Sequence, residues 1–238
     1  MLPWIIAALC AYFVKGLCGF ANTLVFTTIL SFSTSNALIS PIDLLLGFPT
    51  NAILAWHERA SLDRRVWLPL AALVVAGSIP GAIFLKNADT NAVKAVFGVV
   101  IVAVGLEMLL RELRPRHGRG SGLVLTLIGL LSGLLCGLYG VGALLSAYIG
   151  RVTRDSHAFK ANMCMVFVVE NALRAGMYAA LGILTADVLR SALPLFPFML
   201  AGLLLGMRSG TLLNERTVRR LVIVALIISG VALIANSL

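Results

Sequence analysis

Lys15-Gly16-Leu17-Cys18-Gly19-Phe20-Ala21-Asn22-Thr23-Leu24 and Cys136-Gly137-Leu138-Tyr139-Gly140-Val141-Gly142-Ala143-Leu144-Leu145 decide how this chain is read. Each sets glycines inside an apolar run, and glycine at that density breaks a helix. The two stretches lie over one another. Further along, Asn51-Ala52 lies over Asn171-Ala172, and Leu68-Pro69-Leu70 over Leu193-Pro194-Leu195. Gly77 and Gly81 lie over Gly202 and Gly206, and Gly105 over Gly230. One such match is chance in so apolar a chain. An ordered series at a nearly constant offset is a tandem duplication.

The composition fixes the solvent. Of 238 residues, 60% are apolar and 12% charged, against about half and about a quarter in soluble domains. That excess of apolar surface belongs in lipid. The net charge of +9 does not indicate nucleic acid, because the charges fall in short clusters between apolar runs. Cys10, Cys18, Cys136 and Cys164 are isolated within apolar stretches, and His57, His117 and His157 lie in or beside polar loops. No pair has metal-ligand spacing, so neither a metal nor a cofactor is expected. Residues 2–14 have the apolar character of a signal peptide but lack its basic start and clear cleavage site, so the segment is expected to be retained.

The apolar runs cover 2–32, 37–56, 66–86, 92–110, 121–150, 157–182, 189–208 and 218–237. Six can cross ~30 Å of hydrocarbon as single helices. The two longest carry the glycine breaks. Arg and Lys concentrate in 57–65, 111–120, 151–160 and 208–220, whereas 31–36, 87–91 and 183–187 have none. All four basic loops are cytoplasmic only if 121–150 dips in and returns on the same side. With three crossings per half, the second half is then inverted relative to the first.

The expected fold is an all-α integral membrane protein of two inverted repeats, each a glycine-broken, re-entrant segment plus three transmembrane helices. The first repeat is 1–110, the second 121–238, and 111–120 is a basic cytoplasmic linker. The competing reading is eight plain crossings with one kinked helix. The path of 2–32 follows only by symmetry.

The glycine-broken openings, the Leu-Pro-Leu, the Gly77-x-x-x-Gly81 run and the basic loops together resemble the sulfite exporter TauE/SafE family of membrane permeases. The resemblance covers nearly the whole chain. It implies a transporter of the bacterial cytoplasmic membrane for small sulfur-containing anions such as sulfite, thiosulfate and sulfonates. Gly16-Leu17-Cys18-Gly19-Phe20-Ala21 is poorer in glycine than the usual family opening.

Transport needs a polar spot inside an apolar wall. Half-helix N-termini at the breaks offer free N–H groups to an anion. The substrate-binding candidates are Gly16, Gly19, Asn22 and Thr23 in the first half, and Gly137, Tyr139, Gly140 and Gly142 in the second. Asn51 and Asn171 join them as a repeated pair of donors. The bland alternative for every glycine is close helix packing, and it is preferred for Gly77 and Gly81. Lys160, Cys164, Phe167, Asn171 and Arg174 share one helix face. Glu170 and Arg174 have ion-pair spacing near mid-span, and either a structural salt bridge or a direct role fits them. Lys15, Glu170 and Arg174 are therefore supporting or coupling candidates, Lys15 being equally able to snorkel to an interface. Asp43 and Lys94 lie nearer span ends and read as interfacial, and Trp4, Trp56 and Trp67 as interface anchors.

The expected partners are a small anion and the lipid bilayer, without nucleic acid; the assembly, a homodimer included, stays open. A membrane enzyme is disfavoured by the lack of a mid-span nucleophile, base or metal cluster. An anion channel, or a transporter of other small organic acids, is the alternative. Topology offers a direct check. External thiol reagents should miss single cysteines placed in 57–65, 111–120, 151–156 and 209–217 of a cysteine-free protein, and should reach one at the C-terminus. External labelling of 151–156 would rule out the re-entrant second break.

Overall fold

The computed structural model describes residues 1–30, 36–87, 143–153 and 155–210, with scattered positions within 98–110, 126–133 and 217–234. Gly137, Tyr139, Gly140 and Gly142, the linker 111–120 and Lys94 lie outside the described residues. Those described form helices and turns with no strand among them. Eight helices are labelled here: α1 (Leu2–Cys18), α2 (Asn22–Leu30), α3 (Asn36–His57), α4 (Arg64–Asn87), α5 (Ala143–Val152), α6 (Ser156–Ala180), α7 (Ala186–Ala192) and α8 (Phe196–Gly210). The expected runs 37–56, 66–86 and 157–182 correspond to α3, α4 and α6. The run 189–208 falls within α7 and α8, which join through a 3₁₀ turn at Leu193–Leu195, where Pro194 removes a backbone donor. Leu38–His57 and Ala186–Gly210 are long and apolar enough to cross a membrane.

The bundle has an apolar core, yet it also turns large apolar side chains outward and buries charged ones. Leu68, Leu193, Leu204, Leu205, Val224, Ile228 and Val231 are each more than half exposed. Lys15, Asp43, Glu170 and Arg174 are at most 3% exposed. Water would reverse that arrangement; lipid favours it.

Helix α1 ends where the sequence allows a left-handed turn. Gly19 has φ 84°, and its N–H donates to Lys15 O at 2.6 Å. Ala21 follows at φ 71°, a conformation that costs a non-glycine residue roughly 1–2 kcal/mol. Helix α2 then starts at Asn22 and doubles back along α1, bringing the Phe26 ring to 5.8 Å from that of Trp4. The chain thus turns at Gly19–Ala21, slightly later than the glycine spacing suggests.

Gly16 remains inside α1. A Cβ there would collide with the backbone of Leu203, Gly206 and Met207, and one on Gly202 would come 3.2 Å from Phe13 N. Backbones this close need glycine on both sides, and they make α1 against α8 the tightest pairing described. Gly133 similarly meets Val74 and Gly77 of α4, so Gly77 serves packing. A Cβ on Gly98 would lie 2.8 Å from Gly230 O, and one on Gly230 would lie 2.9 Å from Gly98 O. Gly105 faces Ile227 while Gly230 faces Val102.

Helices α3 and α6 form the central pair. Ser40 Oγ meets Tyr178 Oη at 3.0 Å, Gly47 adjoins Asn171, and Glu58 meets His157 at 2.8 Å, so the two run antiparallel. Asp155 caps α6, accepting from Ala158 N at 2.7 Å, as an N-cap carboxylate does. Trp56 is largely exposed, with the Arg59 guanidinium 4.8 Å from its ring centre, as befits an interface anchor.

Gly16→Val should cost at least about 1–3 kcal/mol through overpacking. Gly176→Ala, with open space around its Cβ, should be neutral or stabilise by up to about 1 kcal/mol. Thermal unfolding in detergent separates them; equal melting temperatures would show that α1 and α8 do not meet as described.

Candidate functional site

The break between α1 and α2 delivers Asn22 and Thr23 to the interior at the start of α2. Both turn their side chains to Asp43 of α3. Asn22 Nδ2 donates to Asp43 Oδ1 at 3.0 Å, and Thr23 Oγ1 donates to Asp43 Oδ2 at 2.6 Å. Tyr12 Oη of α1 adds a third hydrogen bond to Oδ1 at 3.1 Å. Asp43 is 2% exposed. The expectation of an interfacial Asp43 is therefore wrong: counting from span ends misplaced it, because three donors from α1 and α2 converge on it in the bundle. They satisfy a buried carboxylate that would otherwise be prohibitively costly.

Lys15 completes the cluster and does not snorkel. It is 1% exposed, and its Nζ donates to Asn22 Oδ1 at 3.1 Å and to Gly47 O at 3.4 Å. Its ammonium also lies 5.8 Å from the Tyr12 ring centre, within cation–π range. The carbonyl it meets sits two residues before Pro49 inside α3. Thr50 Oγ1 donates to the same Gly47 carbonyl at 2.8 Å.

Gly47 is the notch in this wall. A Cβ there would stand 3.5 Å from Asn22 Nδ2, 3.8 Å from Tyr12 Oη and 3.9 Å from Asn171 Nδ2. Three polar side chains from α1, α2 and α6 thus surround a space about the size of a methyl group. Asn171 Oδ1 accepts from Arg174 Nη2 at 3.4 Å, which leaves its Nδ2 facing the notch. Arg174 Nε is 3.8 Å from Glu170 Oε1. The guanidinium lies 5.9 Å from the Tyr178 ring centre. Two cations and two carboxylates, all buried, therefore meet where α1, α2, α3 and α6 converge.

Of the sequence candidates, Lys15, Asn22 and Thr23 join this cluster directly, and Asn171 and Arg174 border it. Asn51 is buried one turn beyond Gly47 on α3, and its Oδ1 has no hydrogen-bond partner. Gly19 lies at the level of Lys160, whose Cγ would be 2.9 Å from a Cβ there. Gly19 O accepts from Cys164 Sγ at 3.2 Å. Gly16 is given to helix packing. Sequence reasoning missed Tyr12, Asp43 and Gly47. Their signal was present, since Ser40, Asp43, Gly47 and Asn51 follow one another at three- and four-residue steps and mark a polar stripe on α3. Among the described residues no group of His, Cys, Asp or Glu could hold a metal.

A bundle that turns leucine outward and encloses charged side chains beside a broken helix has the form of a membrane transporter. Compared with known families, residues 4–233 match Sulfite exporter TauE/SafE, and the chain belongs to that family. It is accordingly a multi-pass membrane protein of an exporter-type transporter family for sulfite and related sulfur anions. No curated protein and no solved structure matches it.

The cluster's energetics can be checked apart from transport. Asp43→Leu strips the countercharge from buried Lys15 and should cost about 3–5 kcal/mol. Adding Lys15→Met should recover most of that loss in a detergent denaturation series. No recovery would mean that the two charges are not coupled.

Proposed function

We propose that this protein is a secondary transporter, an exporter in the bacterial cytoplasmic membrane, for small sulfur-containing anions such as sulfite, thiosulfate or organosulfonates. The observation that carries the reading is the Gly47 notch. It is buried, flanked by Lys15 and Arg174, and faced by Asn171 Nδ2. An oxyanion needs several donors and nearby positive charge, at a place where water is scarce. Asn22, Thr23 and Asn51 shape the wall around it. Gly19 supplies the turn that brings α2's first-turn N–H groups to this level. Gly137, Tyr139, Gly140 and Gly142 are proposed to bring the second break to the same site.

Alternating access between two inverted repeats is the proposed mechanism. Support comes from the antiparallel α3–α6 pair, which carries Asn51 and Asn171, and from the reciprocal contacts of Gly105 with Ile227 and Gly230 with Val102. Helix α2 doubling back on α1 fits a re-entrant segment. The sequence holds no nucleotide-binding motif, so an ion gradient, the anion's own gradient or a separate partner is the energy source proposed for transport. A channel for the same anions would show flux without saturation.

Gly47→Ala tests the site cleanly. The added methyl meets its neighbours at ordinary contact distances and improves helix propensity by about 1 kcal/mol, so the fold should be kept. It occupies the notch, however, and anion affinity should fall at least about tenfold, equivalent to 1.4 kcal/mol. Proteoliposomes assayed with sulfite, thiosulfate, sulfonates and carboxylates would read both specificity and this loss. Wild-type affinity in Gly47→Ala would take the anion away from the notch.

A further inference from the structure

The two buried carboxylates are treated very differently by the fold. Asp43 accepts hydrogen bonds from Tyr12, Asn22 and Thr23. Glu170 is 1% exposed, and among the described residues neither of its oxygens has a hydrogen-bond partner. Its neighbour Arg174 stays at 3.8 Å through Nε, near enough for ionic attraction but too far for a hydrogen bond. An interior carboxylate so poorly served is costly as an anion, and a bound proton removes that charge.

The groups around Glu170 define what such a proton would do. On α6 the charged neighbour is Arg174. Helix α3 brings Asp43, and α1 brings Lys15 and Tyr12, all held in the hydrogen-bonded cluster. Among the described side chains, α4 carries titratable groups only at its start, Arg64 and Arg65, which are exposed, and α5 carries Tyr148. Among the described residues Arg174 touches both sides of the problem. Its Nε faces Glu170, and its Nη2 donates to Asn171, whose Nδ2 faces the Gly47 notch.

We propose that Glu170 is a proton-binding site coupled to the anion site through Arg174. With the site empty, Arg174 is the counter-ion of the Glu170 carboxylate. A bound anion draws the guanidinium to itself, and Glu170 takes up one proton from the loading side on a carboxylate oxygen. When the anion leaves, Arg174 returns and that proton is released on the unloading side. Anion and proton therefore move together, and the buried site never carries the full added charge. The inference rests on the notch being the anion site.

The test uses purified protein with thiosulfate and methanesulfonate, neither of which takes up a proton near neutral pH. In weak buffer with an indicator dye, binding to the unmodified protein should draw about one proton per anion. Affinity should rise as pH falls, by about tenfold per pH unit at most. Glu170→Gln should still bind but lose both effects. Binding without proton uptake, or unchanged pH dependence in Glu170→Gln, would overturn the coupling while leaving the anion site standing. If neither anion binds, infrared spectra of the anion-free protein decide. A carboxylic-acid carbonyl band that grows on acidification and is missing in Glu170→Gln supports the proton site, even though the anion reading fails. No such band at any pH overturns it. Should Glu170→Gln not fold, proton uptake by the unmodified protein remains decisive.

Discussion

Asp43 and the three donors that converge on it are the constraint around which the rest is arranged. A helix that ends inside the bundle exposes backbone groups that an apolar interior cannot satisfy. The turn at Gly19–Ala21 is tolerable because its exits are tied. Asn22 and Thr23 are held by Asp43, Gly19 O by Cys164, and Asn22 Oδ1 by Lys15. The carboxylate in turn is tolerable only because those donors and a nearby ammonium exist. Neither the break nor the acid could be buried without the other.

Packing supports this centre from outside. Glycine-lined contacts of α1 with α8, and of Gly133 with α4, bring backbones together without side chains between them. In lipid the hydrophobic effect does not press helices together, so close van der Waals fit does much of the holding. Large apolar side chains face outward as well as into the core, where Leu44, Leu46 and Leu54 are buried. Among the polar groups at the centre a methyl-sized gap is kept at Gly47.

The α3–α6 pair shows how function can be divided along a seam. At one end Ser40 meets Tyr178, and at the other Glu58 meets His157. Between them lie the fully bonded Asp43, the donor-faced notch at Gly47 and the poorly served Glu170. In the proposed reading the bonded carboxylate fixes geometry, the gap marks the anion site, and the poorly served carboxylate takes up the proton. Such an arrangement suits a transporter, whose site must hold a charge briefly and then release it.

Composition and periodicity alone determined the solvent, the helical class and the positions of α3, α4 and α6. Those properties depend on runs of side chains, and a run is visible in one dimension. The glycine break before Asn22 was legible for the same reason, as were the mid-span charges at Glu170 and Arg174. The sequence could not tell that Gly16 packs against α8 while Gly19 makes the turn, because both are glycines in one motif and only the neighbouring helix distinguishes them. Nor could it place Asp43 fully. The stripe Ser40, Asp43, Gly47 and Asn51 marks its face of α3, whereas its environment comes from Tyr12, Asn22 and Thr23, on two other helices. Gly47 stands on the same stripe, but a missing side chain acquires meaning only from what surrounds it. Tertiary structure decided those four positions, since each depends on atoms brought together from distant parts of the chain.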